Sequence, residues 1–62
     1  MYTQLLAHRK KRKLRQRDVA ELIGLKFDAY RHRENGLMEF RISECLKLSE
    51  LFGVSVEELF RS

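Results

Sequence analysis

Proline and tryptophan are absent from these 62 residues, cysteine occurs once and glycine three times. Without proline, nothing in the chain forces a break inside a helix, and no Pro-rich linker divides it. The single Cys45 excludes an internal disulfide framework and fits a reducing compartment. No apolar run approaches the ~20 residues needed to cross a bilayer. Residues 1–7 lack a basic stretch followed by an apolar one, so no signal peptide is expected and the chain reads as soluble and cytoplasmic. Strict apolar–polar alternation, the mark of a half-buried strand, is also missing.

The side chains that carry catalysis are scarce too. His8 and His32 fall on different predicted helices, Cys45 belongs to an apolar face, and no paired carboxylates or metal-spaced cluster occurs. No enzyme activity, metal or cofactor is therefore expected. The basic residues do not back one long apolar helix, which disfavours a membrane-surface peptide.

What is abundant is charge, and its distribution is uneven. The formal net charge is +4. Residues 1–33 hold ten Lys/Arg against three acids, a balance of +7, and residues 34–62 hold three against six, a balance of −3. A basic half backed by an acidic one suggests a surface that faces a polyanion. The length allows one small domain, over residues 1–62, with a small core that must be well packed.

Each glycine lies where a helix would stop: Gly24 after Val19, Leu22 and Ile23; Gly36 after Asn35; Gly53 after Leu48, Leu51 and Phe52. The periodicity predicts five helices. The first covers about residues 3–12, with Thr3 as N-cap and Leu5, Leu6, His8 and the Arg9 stem toward the core. The second covers about 16–23 and buries Val19, Ala20 and Ile23. The third covers about 27–33, and the fourth about 42–52, with Ile42, Cys45, Leu46, Leu48 or Ser49, and Phe52 inward. The last covers 56–60, opened by a Ser55/Glu58 capping box.

Two helices joined by a short glycine-containing turn form a helix-turn-helix, here over about residues 16–35. Ala20 is small where the helices cross, Gly24 serves the turn, and Leu25 covers the core beneath it. Tyr30 lies where the second of the two helices packs back on the first. The combination of Leu14, Gln16, Val19, Ala20, Ile23, Gly24 and Leu25, followed by Glu34-Asn35-Gly36, resembles the Cro/phage-repressor (XRE-type) helix-turn-helix family. The likeness extends from about Leu5 to Leu59, and the ending Leu51-Phe-Gly-Val-Ser-Val-Glu-Glu-Leu59 and the spacing of Gly36 and Gly53 match as well.

The resemblance implies an all-α, compact five-helix, lambda-repressor-like domain that binds double-stranded DNA as a homodimer. It implies a structural ion pair between Arg9 and Glu34, a phosphate contact and bracing role for Gln16, and a phosphate contact at Asn35. Phe27, Asp28, Arg31 and His32 are the expected base-reading residues, with Lys26 at the helix entrance directed to phosphate. In the major groove, Arg31 suits guanine O6/N7, His32 a purine N7 and Phe27 a thymine methyl. Asp28 either accepts from cytosine N4 or caps the third helix; both roles stay open. Arg15 and Arg17, flanking Gln16, are expected at phosphates, as is Arg41, the sole cation of the connection after Gly36.

Some positions depart from the family pattern. Arg33 stands where a large apolar side chain is usual, and its stem is expected to cover the core with the guanidinium reaching out to water. His8 replaces a common leucine and is expected to be a half-buried packing residue. The connection Leu37-Met-Glu-Phe40 is apolar instead of basic: it either fills the core or offers a partner surface. Self-association through Met38, Phe40, Leu59 and Phe60 is the favoured reading.

Two functions follow. The first is a sequence-specific transcriptional regulator, with repression preferred, that binds a pseudo-palindromic operator as a homodimer with its third helix in the major groove. No small-molecule effector is implied. The alternative is a protein-interaction module or antitoxin-like partner of the same fold with weak DNA reading.

Overall fold

The periodicity and the glycine stops become five helices in the computed structural model, which describes residues 2–61. They are α1 (Thr3–Lys11), α2 (Gln16–Leu22), α3 (Phe27–Glu34), α4 (Ile42–Phe52) and α5 (Val56–Leu59). The expected domain runs over 1–62, and its two end positions lie outside the described residues. No strand occurs among the described residues, so the fold is all-α with five helices.

The first four helices stop in the same way, by a left-handed residue beyond the last turn. Glycines supply it at Gly24 (φ +77°), Gly36 and Gly53, but after α1 the residue is Lys13, with φ +57°. The Lys13 amide donates to the Lys10 carbonyl at 2.9 Å and the Leu14 amide to the Arg9 carbonyl at 3.1 Å. These are the paired bonds of a Schellman motif, here without the glycine that usually makes it cheap.

Helix starts follow a rule that apolar periodicity does not reveal. Tyr2, not Thr3, holds the N-cap position of α1, and it makes no side-chain cap bond. At α2 and α4 the acid in the third helical position reaches back. Asp18 Oδ2 accepts from the Arg15 amide at 2.8 Å, and Glu44 Oε1 accepts from the Arg41 amide at 2.8 Å. At α5, Ser55 Oγ accepts from the Glu58 amide at 3.0 Å, as expected, while the Glu58 carboxylate lies 3.7 Å from Arg61.

The core draws on every helix: Leu5 from α1, Val19 and Ala20 from α2, Tyr30 from α3, Leu48 and Phe52 from α4 and Leu59 from α5, with Ile23 just past α2. Leu6 and His8 are half-buried, and the His8 ring lies 6.1 Å from that of Phe52, a packing position as expected. A second cluster joins Tyr2, Phe40 and Phe60, with centroids 5.0–5.7 Å apart, and Tyr30 meets Phe40 at 5.9 Å. Tilted and edge-on aromatic pairs of this kind contribute about 0.5–1.5 kcal/mol each.

Three expectations are corrected by this packing. α4 is rotated from its predicted face: Ile42 is 80% exposed and Leu46 54%, while Glu44, Leu48 and Phe52 are buried one turn apart. The reason is electrostatic, because a buried partner admits the Glu44 carboxylate to the inward stripe. That partner is Arg33, whose guanidinium does not reach out to water. Arg33 is only 7% exposed, and its Nε lies 2.9 Å from Glu44 Oε1 while Nη1 donates to the Ala29 carbonyl at 3.1 Å. The third correction concerns Leu59, which is fully buried and has no surface to give a second subunit.

Candidate nucleic-acid interface

The turn between α2 and α3 is closed by its backbone. The Leu25 amide donates to the Ala20 carbonyl at 2.8 Å and the Gly24 amide to the Glu21 carbonyl at 3.2 Å. A residue with a Cβ is strained at the positive φ of Gly24, so glycine suits this turn. Buried Ala20 lets α3 approach α2 closely.

The inner side of α3 is clamped at its last turn. Glu34, 2% exposed, accepts from Arg9 Nε at 2.9 Å and Arg9 Nη2 at 3.1 Å. It also accepts from Gln16 Nε2 at 2.8 Å and from the Tyr30 hydroxyl at 2.6 Å. Two donors fall on each carboxylate oxygen, and Arg9 Nη1 donates to the Leu14 carbonyl at 2.9 Å. This saturation makes the buried charge tolerable, since an unpaired carboxylate here would be strongly destabilising. Burial, reinforced by the Glu34 carboxylate, pushes the Tyr30 phenol well up from its ordinary range, so it stays a donor. Arg9, Gln16, Tyr30 and Glu34 thus lock α1, α2 and α3 into one unit.

On the outer side of α3, Asp28 is exposed and Arg31 and His32 are half-buried. Asp28 Oδ1 lies 3.3 Å from Arg31 Nη2, and Lys26 rather than Asp28 holds the N-cap position. Half-buried Phe27 lies under two cations, Arg17 at 4.8 Å and Arg31 at 5.8 Å from the ring centroid. Such contacts contribute about 0.5–1 kcal/mol at exposed sites. Here they also bring a cation of α2 beside a cation of α3. Lys26, Asn35 and Arg41 are exposed, at the entrance of α3, its C-cap and the N-cap of α4.

Not every basic residue of the first half is available to a ligand. Arg9 and Arg33 are buried. Arg12 Nη2 donates to the Phe52 carbonyl at 2.9 Å, and its guanidinium lies 5.1 Å from the Phe52 ring centroid, tying the end of α1 to the end of α4. Arg15 forks onto Asp18 with two bonds of 3.1 Å, and that hydrogen bonding holds the Asp18 carboxyl below its usual range. Surface pairs of this sort are weak, so the exposed Arg15 guanidinium exchanges partners easily. The Gln16 amide nitrogen is engaged with Glu34.

The Tyr30 hydroxyl bond, the Arg33–Glu44 pair and the Arg12 cap are structural contacts around this unit beyond those expected from the sequence. Tyr30 and Glu34 stand four apart on one helix, the spacing of facing side chains, so that bond had a local signal. The other two join distant segments and had none.

No group of three or more His, Cys, Asp or Glu among the described residues is placed to hold a metal ion. Nor is any described helix long and apolar enough to cross a membrane. Comparison with curated proteins and with solved structures returns no match. A helix-turn-helix family model matches residues 5–59. The match covers α1 from Leu5 and the whole of α2–α5, including the clamped α2–α3 unit, and on that basis the chain belongs to the Cro/C1-type (XRE) family of DNA-binding helix-turn-helix regulators.

Proposed function

We propose that this chain is a sequence-specific transcriptional regulator acting as a repressor, which binds a pseudo-palindromic operator as a homodimer with α3 in the major groove. One observation carries the reading: α3 is clamped from inside by Glu34 while Asp28, Arg31 and His32 remain on its outer side. Arg31 reads guanine, His32 a purine N7 and Phe27 a thymine methyl. Asp28 orients Arg31 or accepts from cytosine N4. Arg15, Arg17, Lys26, Asn35 and Arg41 contact phosphates around this helix, and Gln16 adds a contact beside its bracing bond.

Homodimer spacing follows from the geometry of such domains, with recognition helices about 34–36 Å apart in successive major grooves. A protomer whose longest dimension is 24 Å fits within one half-site. Met38, 52% exposed, with half-buried Phe40 and Phe60, supplies the self-association surface. Repression then follows from occlusion of RNA polymerase.

Selection from random duplex DNA at two salt concentrations, with mass measured in solution, tests this reading. The expected result is an inverted repeat and a dimer mass. Arg31→Ala combined with His32→Ala is expected to lower discrimination between the selected site and a shuffled duplex at least tenfold; unchanged discrimination sinks the assignment.

A second reading, a protein-interaction module or antitoxin-like partner, is favoured by one observation: Leu37, Met38, Ile42 and Leu46 are all exposed large apolar residues within ten positions. It predicts DNA binding that is weak, salt-labile and indifferent to sequence.

A further inference from the structure

Two buried ion pairs meet α3 at consecutive residues. Glu34 is held by Arg9 of α1, and Arg33 lies against Glu44 in the first turn of α4. Neighbouring helical positions point about 100° apart, so the last turn of α3 is gripped from two sides. The Glu34 clamp holds α3 to α1 and α2, and the Arg33 pair adds a hold from α4 in another direction. Glu44 is itself tied to the start of α4 through the Arg41 amide, and Arg33 to its own helix through the Ala29 carbonyl. The pair therefore closes the connection between α3 and α4 with an electrostatic bridge.

The buried Arg33–Glu44 pair need not add net stability. Its Nε, although 2.9 Å from the carboxylate, has no hydrogen-bond partner, so the contact is ionic and misaligned. Replacing a buried pair by neutral side chains of similar volume is often neutral or stabilising. The place of Arg33–Glu44 at the last turn of α3 points to a geometric role. A 10° rotation moves a side-chain tip ~6 Å from the helix axis by about 1 Å, enough to disrupt a directed hydrogen bond.

We infer that Arg33 and Glu44 are positioning residues, which set the rotation and tilt of α3 and thereby the sequence discrimination of its outer face. The discrimination part of this inference rests on the proposed DNA-reading function; the orientation part does not.

The test compares the wild-type chain with the double variant Arg33→Met/Glu44→Gln, which removes both charges, leaves the net charge unchanged and retains an acceptor for the Arg41 amide. Residual dipolar couplings report the orientation of α3 relative to α1 and α4, without DNA. Binding to the selected and shuffled duplexes at one salt concentration reports discrimination, and a thermal scan reports folding. The expected result is an altered or averaged α3 orientation and at least a tenfold loss of discrimination, with an undiminished melting temperature and an unchanged salt slope. Arg33→Lys, which keeps the charge but loses the guanidinium fork, provides a second folded variant and is expected to show a smaller change in the same direction. Wild-type couplings in the variants overturn the positioning role, whatever happens to binding. Altered couplings with intact discrimination overturn its link to DNA reading. A wild-type protein without sequence preference overturns the proposed function, and the couplings still decide the orientation claim.

Discussion

At the scale of single residues, Glu34 organises the α1–α2–α3 unit because four donors converge on one buried carboxylate. The Tyr30 hydroxyl is the shortest of those contacts and has a pH consequence. Burial and Glu34 raise the Tyr30 ionisation above its unfolded value, which is near 10 for tyrosine. The unfolded chain therefore loses this proton first. The stability contributed by the protonated phenol is fully present below about pH 10 and is lost as pH rises toward the higher folded value. Tyr30→Phe is expected to cost about 1.5–3 kcal/mol at neutral pH, the contribution of a hydrogen bond to a charged group. It is also expected to flatten the alkaline loss of stability. Urea unfolding midpoints from pH 8 to 11 check both effects, and parallel profiles for the two proteins would contradict the assignment.

At the scale of elements, helix ends matter more than helix interiors. Three glycines and one lysine supply the left-handed stops, and only Lys13 carries a side chain into that conformation. The penalty for an L-residue there is about 1–2 kcal/mol, partly offset in glycine by its greater freedom when unfolded. Lys13→Gly is expected to stabilise the fold by about 0.5–1 kcal/mol and to raise the melting temperature by a few degrees. Calorimetry measures the change, and a lower melting temperature would show that the lysine side chain makes a compensating contact. The helix starts show why apolar spacing alone placed α4 correctly but predicted the wrong inward face. Glu44 reaches back to the Arg41 amide and inward to Arg33, so a carboxylate takes a buried position while Ile42 and Leu46 turn outward.

At the scale of the whole molecule, the +7 and −3 halves do not translate directly into a binding face. Folding withdraws Arg9 and Arg33 into the interior and turns Arg12 onto the end of α4. Lys47 likewise points Nζ to the Ile23 carbonyl at the end of α2, 3.4 Å away. What remains beside α3 is a smaller set, in which Arg17 and Arg31 share the Phe27 ring. The proposed phosphate role of Arg17 predicts that Arg17→Ala lowers the slope of log K against log salt by about 0.9. Arg12→Ala, a change of equal charge, is expected to leave that slope nearly unaltered. Binding isotherms between 50 and 200 mM salt, taken from about the range over which counterion release is usually read, distinguish the two. Equal changes in slope would mean that net charge, not placement, governs binding.

The linear order of residues by itself determined the helix count, the glycine stops and the helix-turn-helix, because each depends on local spacing, whereas the Arg9–Glu34 pair was implied only by the family resemblance. The linear order also identified Phe27, Asp28, Arg31 and His32 as belonging to one short helix. Only the tertiary structure decided that Arg33 turns inward, that α4 buries Glu44 in place of Ile42, that Leu59 is core, and that Arg12 caps a helix forty residues away. The physical reason is common to the three that involve charge, Arg33, Glu44 and Arg12. Periodicity records which side chains avoid water, whereas a charged side chain can leave water only when a distant partner is already in place, and that partner is visible only after the chain has folded.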